Sequence, residues 1–201
     1  MQVSPSATAR YFVVGLGLAL CAVGATPTHA NGQDLVGTVR AAGQLAKNVV
    51  VWLDVPRAAR SEPPPTIVMD QRNLRFVPHV LAVPVGTVVE MPNSDRVFHN
   101  VFSFHDGKVF DLGLYPVGTS KTVTFDKPGL SRIFCNIHPD MGAYVVAVDS
   151  DVYAVSDGRG RFVMASVGEG SYTYHAWRPG ADTVTGTLVV APGRPAEIAL
   201  P

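Results

Sequence analysis

Cysteine is nearly absent from this chain: 201 residues hold two, Cys21 and Cys135. The first thirty residues read as a secretory signal. Arg10 is their only charge. Phe12 to Ala25 is apolar, but shorter than the ~20 residues a helix needs to cross a bilayer. Thr28-His29-Ala30 offers small residues for cleavage, with Val23-Gly24-Ala25 as a second candidate. Lipidation at Cys21 is disfavoured by the bulky Leu20 before it. Cleavage at Ala30 removes Cys21 and leaves about 171 residues, enough for one sizeable domain or two small ones. A protein exported to the periplasm with one cysteine has no internal disulfide. Its lone thiol stays chemically exposed in an oxidising compartment unless something occupies it. Net charge is also missing, with 16 basic residues against 16 acidic ones. There is no basic stripe to recruit nucleic acid and no long charge run. No segment of the mature chain is apolar enough for a transmembrane span. Helix-period stretches are scarce, while glycine, proline, valine and threonine are plentiful, which gives an all-β expectation.

Four residues near the middle carry the chemistry: His99, Cys135, His138 and Met141. They sit in Asp95-Arg96-Val97-Phe98-His99-Asn100-Val101 and in Phe134-Cys135-Asn136-Ile137-His138-Pro139-Asp140-Met141. Two imidazoles, one thiolate and a thioether are the ligand set of a blue-copper electron-transfer site. The soft sulfur donors favour Cu(I), the imidazoles serve both oxidation states, and such a site rearranges little when an electron moves. Cys-x-x-His-x-x-Met puts three ligands on one short loop. His99 must then come from a separate upstream element and close the trigonal plane. A buried structural cysteine is the ordinary alternative for Cys135, and core packing is the ordinary alternative for Met141. Other chemistries fit poorly. Cys135 with His138 as base lacks an orienting acid, zinc does not use a thioether, and haem attachment needs Cys-x-x-Cys-His. Further His-x-His motifs, which a multicopper oxidase would need, are missing, so the chain reads as no enzyme.

Residues 67–150 resemble a cupredoxin of the plastocyanin and amicyanin kind. The match follows chain order: Phe76-Val77-Pro78, then Leu81 to Val88 with its Pro84 and Gly86, then Asn93-Ser94-Asp95 before His99. Val123-Thr124-Phe125 and Pro128-Gly129 then precede Cys135. Two residues separate His138 from Met141, which is closer to amicyanin than to plastocyanin. Many relatives carry alternating tyrosines before the cysteine, whereas this chain has Leu130-Ser131-Arg132-Ile133-Phe134. The resemblance implies a Greek-key β-sandwich holding one type 1 copper. It gives Asn100 a supporting role, tying the two ligand loops together by hydrogen bonds. It makes the His138 edge the electron port, within an apolar patch drawn from Phe98, Pro139 and Met141. His79, His105 and His175 read as structural or solvated residues.

The chain ends resemble another family. Val36-Gly37-Thr38-Val39 and Gly43 to Leu53, then Ala154 to Phe162 and Val167 to Tyr174, are similar to the two parts of a carboxypeptidase regulatory-like (transthyretin-like) β-sandwich. Residues 56–66, with Pro63-Pro64-Pro65, read as a linker. The expected architecture is a discontinuous small β domain, 31–55 with 151–201, into which the copper segment is inserted. The alternative is that 34–55 adds a strand to the copper sheet and 151–201 stands alone. Within these units, alternation places Leu81, Val83 and Val85 on one strand face, Lys121, Val123 and Phe125 on another, and Tyr172, Tyr174 and Ala176 on a third. The runs 48–53 and 143–148 read as strands buried on both sides. The functional expectation is one-electron transfer, with a c-type cytochrome or quinoprotein dehydrogenase as partner by analogy. Copper storage or delivery without turnover, and a cell-surface binding module, are the alternatives.

Overall fold

The computed structural model describes residues 32–57, 66–104 and 106–201. The signal read over 1–30, most of the linker read over 56–66, and His105 lie outside them. Regular structure among the described residues is entirely strand, so the all-β expectation holds. In chain order the strands are β1 (Gln33–Ala41), β2 (Gln44–Leu45), β3 (Val50–Leu53), β4 (Ile67–Val68), β5 (Asp70–Gln71), β6 (Phe76–Val77), β7 (Val80–Pro84), β8 (Thr87–Pro92) and β9 (His99–Ser103). They continue as β10 (Phe110–Tyr115), β11 (Ser120–Phe125), β12 (Gly129–Phe134), β13 (Gly142–Val148), β14 (Tyr153–Val155), β15 (Arg161–Val167), β16 (Gly170–Trp177), β17 (Val184–Val190) and β18 (Ala196–Leu200).

Strand pairing separates the chain into two sets. The strands of 67–148 make a five-stranded sheet in the order β10-β9-β12-β13-β7 and a three-stranded sheet β11-β8-β4, with β5 and β6 as a small hairpin. The strands before residue 54 pair with those after 152. β1 lies between β15 and β18 and carries β2, while β3 lies between β14 and β16, with β17 beyond. Hydrogen bonds hold together the points where the chain leaves and returns. The Ser150 hydroxyl donates to the Leu53 carbonyl at 2.7 Å, and Leu53 N–H donates to Val152 O at 3.0 Å. Further along, the buried Ser156 hydroxyl donates to Ala46 O at 2.7 Å and accepts from Val49 N–H at 2.9 Å.

The side-chain alternation explains the layers. Val83, Val89, Met91, Val101, Phe125, Ile133, Ala143, Val145 and Ala147 fill the space between the five- and three-stranded sheets. Leu35, Val39, Val49, Val51, Leu53, Phe162, Ala176, Leu188 and Ile198 fill the space between the other two. The runs 48–53 and 143–148 have no polar face because a third cluster lies between the two sandwiches: Val50, Val80, Ala82, Val146, Val148 and Trp177. β7 and β16 depart from the sequence expectation here. Their alternation suggested one buried face, yet Val80 and Ala82 on β7 and Trp177 on β16 are covered by the opposing sandwich. At the β1–β2 hairpin, Ala42 and Gly43 both take positive φ, 47° and 78°, as a two-residue turn between twisted strands requires.

Candidate metal centre

Two strand ends and two loops build the site. β8 ends at Pro92, and the loop of 93–98 delivers His99 as the first residue of β9. β12 ends at Phe134, so Cys135 opens the loop that returns at Gly142. That loop is closed on itself: Met141 N–H donates to His138 O at 2.9 Å, and Cys135 N–H donates to Met141 O at 3.2 Å. A ring of this size points Cys135 and His138 inward together.

His99, Cys135 and His138 each turn a ligand-type atom to one point, with all three atoms within 4.8 Å of one another. His99 Nδ1 lies 3.0 Å from His138 Nδ1, and Cys135 Sγ lies 3.8 Å and 3.5 Å from those nitrogens. The circle through three atoms so spaced has a radius of about 2.0 Å, close to metal–nitrogen and metal–thiolate bond lengths. One soft thiolate with two imidazoles suits one copper ion. The donors sit at the end of the hydrophobic core: His99 is 0% exposed, Cys135 5% and Met141 1%. His138 is half-buried and reaches the surface.

Met141 belongs to the same buried cluster as Cys135. It therefore contributes nothing to an exposed patch, which corrects one sequence expectation. Phe98 and Pro139 are exposed as expected, and Val97 and Ile137, also chain neighbours of the ligands, are exposed with them. Asn100 links the two ligand segments through its backbone, whose N–H points at Cys135 Sγ at 3.5 Å. Its side chain turns away and donates to Asp111 Oδ1 at 2.8 Å. His79 Nδ1 donates to Gly142 O, 3.1 Å away, and His175 sits between Asp54 and Thr185, so neither joins the cluster.

Sequence reading missed the residues that hold the first ligand loop. Asp95 Oδ2 lies 3.1 Å from His99 Nε2. The Leu74 N–H hydrogen bond is the chief cause that holds the Asp95 carboxyl below its usual range, with smaller contributions from Arg96 N–H and His99. Asn93, buried, accepts from Asp95 N–H at 3.1 Å and donates to Val97 O at 2.9 Å. The i, i+4 spacing of Asp95 and His99 was the available signal, but such spacing is common in loops without meaning. Below the loop, the Tyr115 hydroxyl donates to Met91 O at 2.8 Å and accepts from Gln71 Nε2. Burial pushes the Tyr115 hydroxyl up to about 12, and the Gln71 hydrogen bond opposes that only in part. The folded state thus keeps the proton that the unfolded chain releases near 10.0. Stability from this group is full below pH 10.0 and is lost as pH rises towards about 12. Denaturant titrations across that window should show a falling stability whose slope flattens in Tyr115→Phe.

No protein-family model matches the chain, and no curated protein matches it. Among solved structures, the chain is similar to a purple cupredoxin from Nitrosopumilus maritimus, at 28% identity over 41% of this chain and 98% of that one, with a TM-score of 0.37. It is similar to an amicyanin from Paracoccus versutus at 21% identity over 49% and 97% of the two chains, with a TM-score of 0.38. A copper-containing nitrite reductase from Thermus scotoductus SA-01 aligns at 27% identity over 47% of this chain and 25% of its own, with a TM-score of 0.41.

Proposed function

We propose that this protein is an exported one-electron carrier with a single type 1 copper held by His99, Cys135 and His138, and with Met141 as a weak axial donor. The observation that carries the reading is the convergence of one thiol sulfur and two imidazole nitrogens within 4.8 Å. Bound copper would supply a Cu(II)/Cu(I) couple. The chain's own contribution is to hold the donors still. The closed 135–141 loop and the Asn100 N–H fix the sulfur, and burial keeps water from His99. The half-buried His138 edge beside exposed Phe98 and Ile137 is the contact point for a redox partner, a c-type cytochrome or quinoprotein dehydrogenase by analogy. Deep burial of three of the four donors favours a carrier over a delivery protein, which must release its metal. In this reading the chain transfers electrons without transforming a substrate, and the signal over 1–30 directs it to the periplasm. The strand pairing supports 31–55 with 151–201 as one unit, with the copper unit of 67–150 inserted between them; reading that unit as a regulatory-like domain rests on the sequence resemblance alone.

Protein-film voltammetry tests this. The copper-loaded protein should give a reversible one-electron wave. Met141→Leu keeps similar volume and removes the thioether. A weak axial sulfur tunes the potential more than it holds the metal. Soft as it is, the thioether still donates an electron pair that leucine cannot replace, and Cu(II), the electron-poorer state, loses more by its removal than Cu(I), so the potential should rise while the metal is retained. An unchanged potential places Met141 in the core alone.

A further inference from the structure

We infer that Asp95 is a positioning residue for the first ligand: it fixes which nitrogen of His99 carries the proton and strengthens that ligand's hold on the metal. The inference rests on the copper reading above. A neutral imidazole has one N–H and one lone pair. His99 is fully buried, with Nδ1 turned to His138 Nδ1 and Cys135 Sγ and Nε2 turned to Asp95 Oδ2 at 3.1 Å. A carboxylate accepts and does not donate, so the proton belongs on Nε2 and the lone pair on Nδ1, where the other donors converge. Among the described residues, Asp95 is the partner at Nε2, so without the carboxylate no other described residue selects this tautomer.

The carboxylate is itself immobilised. Its side chain is 11% exposed. Oδ2 also accepts from Leu74 N–H at 2.6 Å, and Oδ1 accepts from Arg96 N–H at 2.8 Å. Its own N–H donates to Asn93 Oδ1 at 3.1 Å, and Asn93 is anchored to Val97 O and Tyr115 O at 2.9 Å and 3.3 Å. Asp95 therefore cannot swing away when the metal leaves, and the ligand is set before the metal arrives. An anchored negative charge behind an imidazole makes its free nitrogen a stronger donor. It stabilises the more highly charged metal state more than the less charged one, and so lowers the reduction potential.

The full-length protein tests this through two variants. Asp95→Asn keeps the shape and an oxygen that can still accept from Leu74 and His99, but removes the charge. Asp95→Ala removes both. Loss of such a partner lowers metal affinity by about 10–100-fold. A tenfold loss borne by Cu(II) alone raises a one-electron potential by about 59 mV, and a rise of at least that size is expected in Asp95→Asn with the visible band retained. Imidazole nitrogen NMR of the copper-free protein should show His99 as the Nε2–H tautomer in wild type and as a mixture in Asp95→Ala. If Asp95→Ala does not fold, the Asp95→Asn potential decides. Unchanged potential and unchanged tautomer would overturn the inference and leave Asp95 as a loop cap. A wild-type copper complex lacking the thiolate band overturns the copper reading instead, and the copper-free NMR measurement then decides the role of Asp95.

Discussion

Cys135→Ser should abolish the strong visible absorption of the copper-loaded protein. That absorption is a thiolate-to-copper charge transfer, and among His99, Cys135 and His138 the thiolate comes from Cys135 alone. A serine hydroxyl is a harder donor and stays protonated near neutral pH. The substitution removes an equatorial ligand, so Cu(II) affinity should fall by more than the roughly 10–100-fold cost of losing an outer hydrogen-bond partner. His99→Ala and His138→Ala should weaken binding in both oxidation states for the same reason. The fold should survive each change, because the cysteine is a small part of a core built from Val83, Val89, Met91, Phe125 and Ile133. Absorption spectra and copper titrations of wild type and variant check this. A colourless wild-type complex, with copper bound elsewhere, would sink the electron-carrier reading.

Cutting the chain between its two sandwiches should give two pieces that fold and then seek each other. Residues 67–149 contain the whole five- and three-stranded pair, and residues 34–55 joined by a short linker to 151–201 contain the other two sheets. Each piece would uncover its half of the middle cluster: Val80, Ala82, Val146 and Val148 on one side, and Val50 and Trp177 on the other. Burying a large apolar side chain is worth about 1.5–3 kcal/mol, so both pieces should melt below the intact protein. Mixed, they should associate, as sedimentation would show. The copper piece should bind copper by itself. A joined piece that stays disordered, while the intact protein unfolds in one cooperative step, would rule out the inserted-domain proposal.

The ligands were readable because type and spacing lie within short strings. Cys-x-x-His-x-x-Met specifies a loop, and His99 supplies the missing donor. Strand faces were readable wherever one side meets solvent. Ser120, Thr122 and Thr124 point out from β11 while Val123 and Phe125 point in. What the sequence hid depends on contacts between distant segments. Nothing local to β7 says that Val80 and Ala82 meet Val146 and Trp177, because the covering sheet lies far along the chain. Asp95 was equally opaque. A carboxylate in a turn is ordinary until the fold sets it behind an imidazole. The role of Asn100 was legible only in outline. Its position beside His99 pointed to a link between the loops, but the link seen runs through the backbone N–H, which every residue except proline has.

The parallel pairing of β1 with β18 carries a mechanical consequence. Gly37 to Ala41 run alongside Ala196 to Leu200 in the same direction. Tension applied to the start of β1 and the end of β18 would therefore slide one strand along the other, so that the row of hydrogen bonds must break together and not one after another. The segment bearing His99, Cys135 and His138 leaves and returns behind that clamp, with Leu53 and Ser150 joined at its neck. A pull on the ends would load the clamp first and reach the metal ligands only after it gave way.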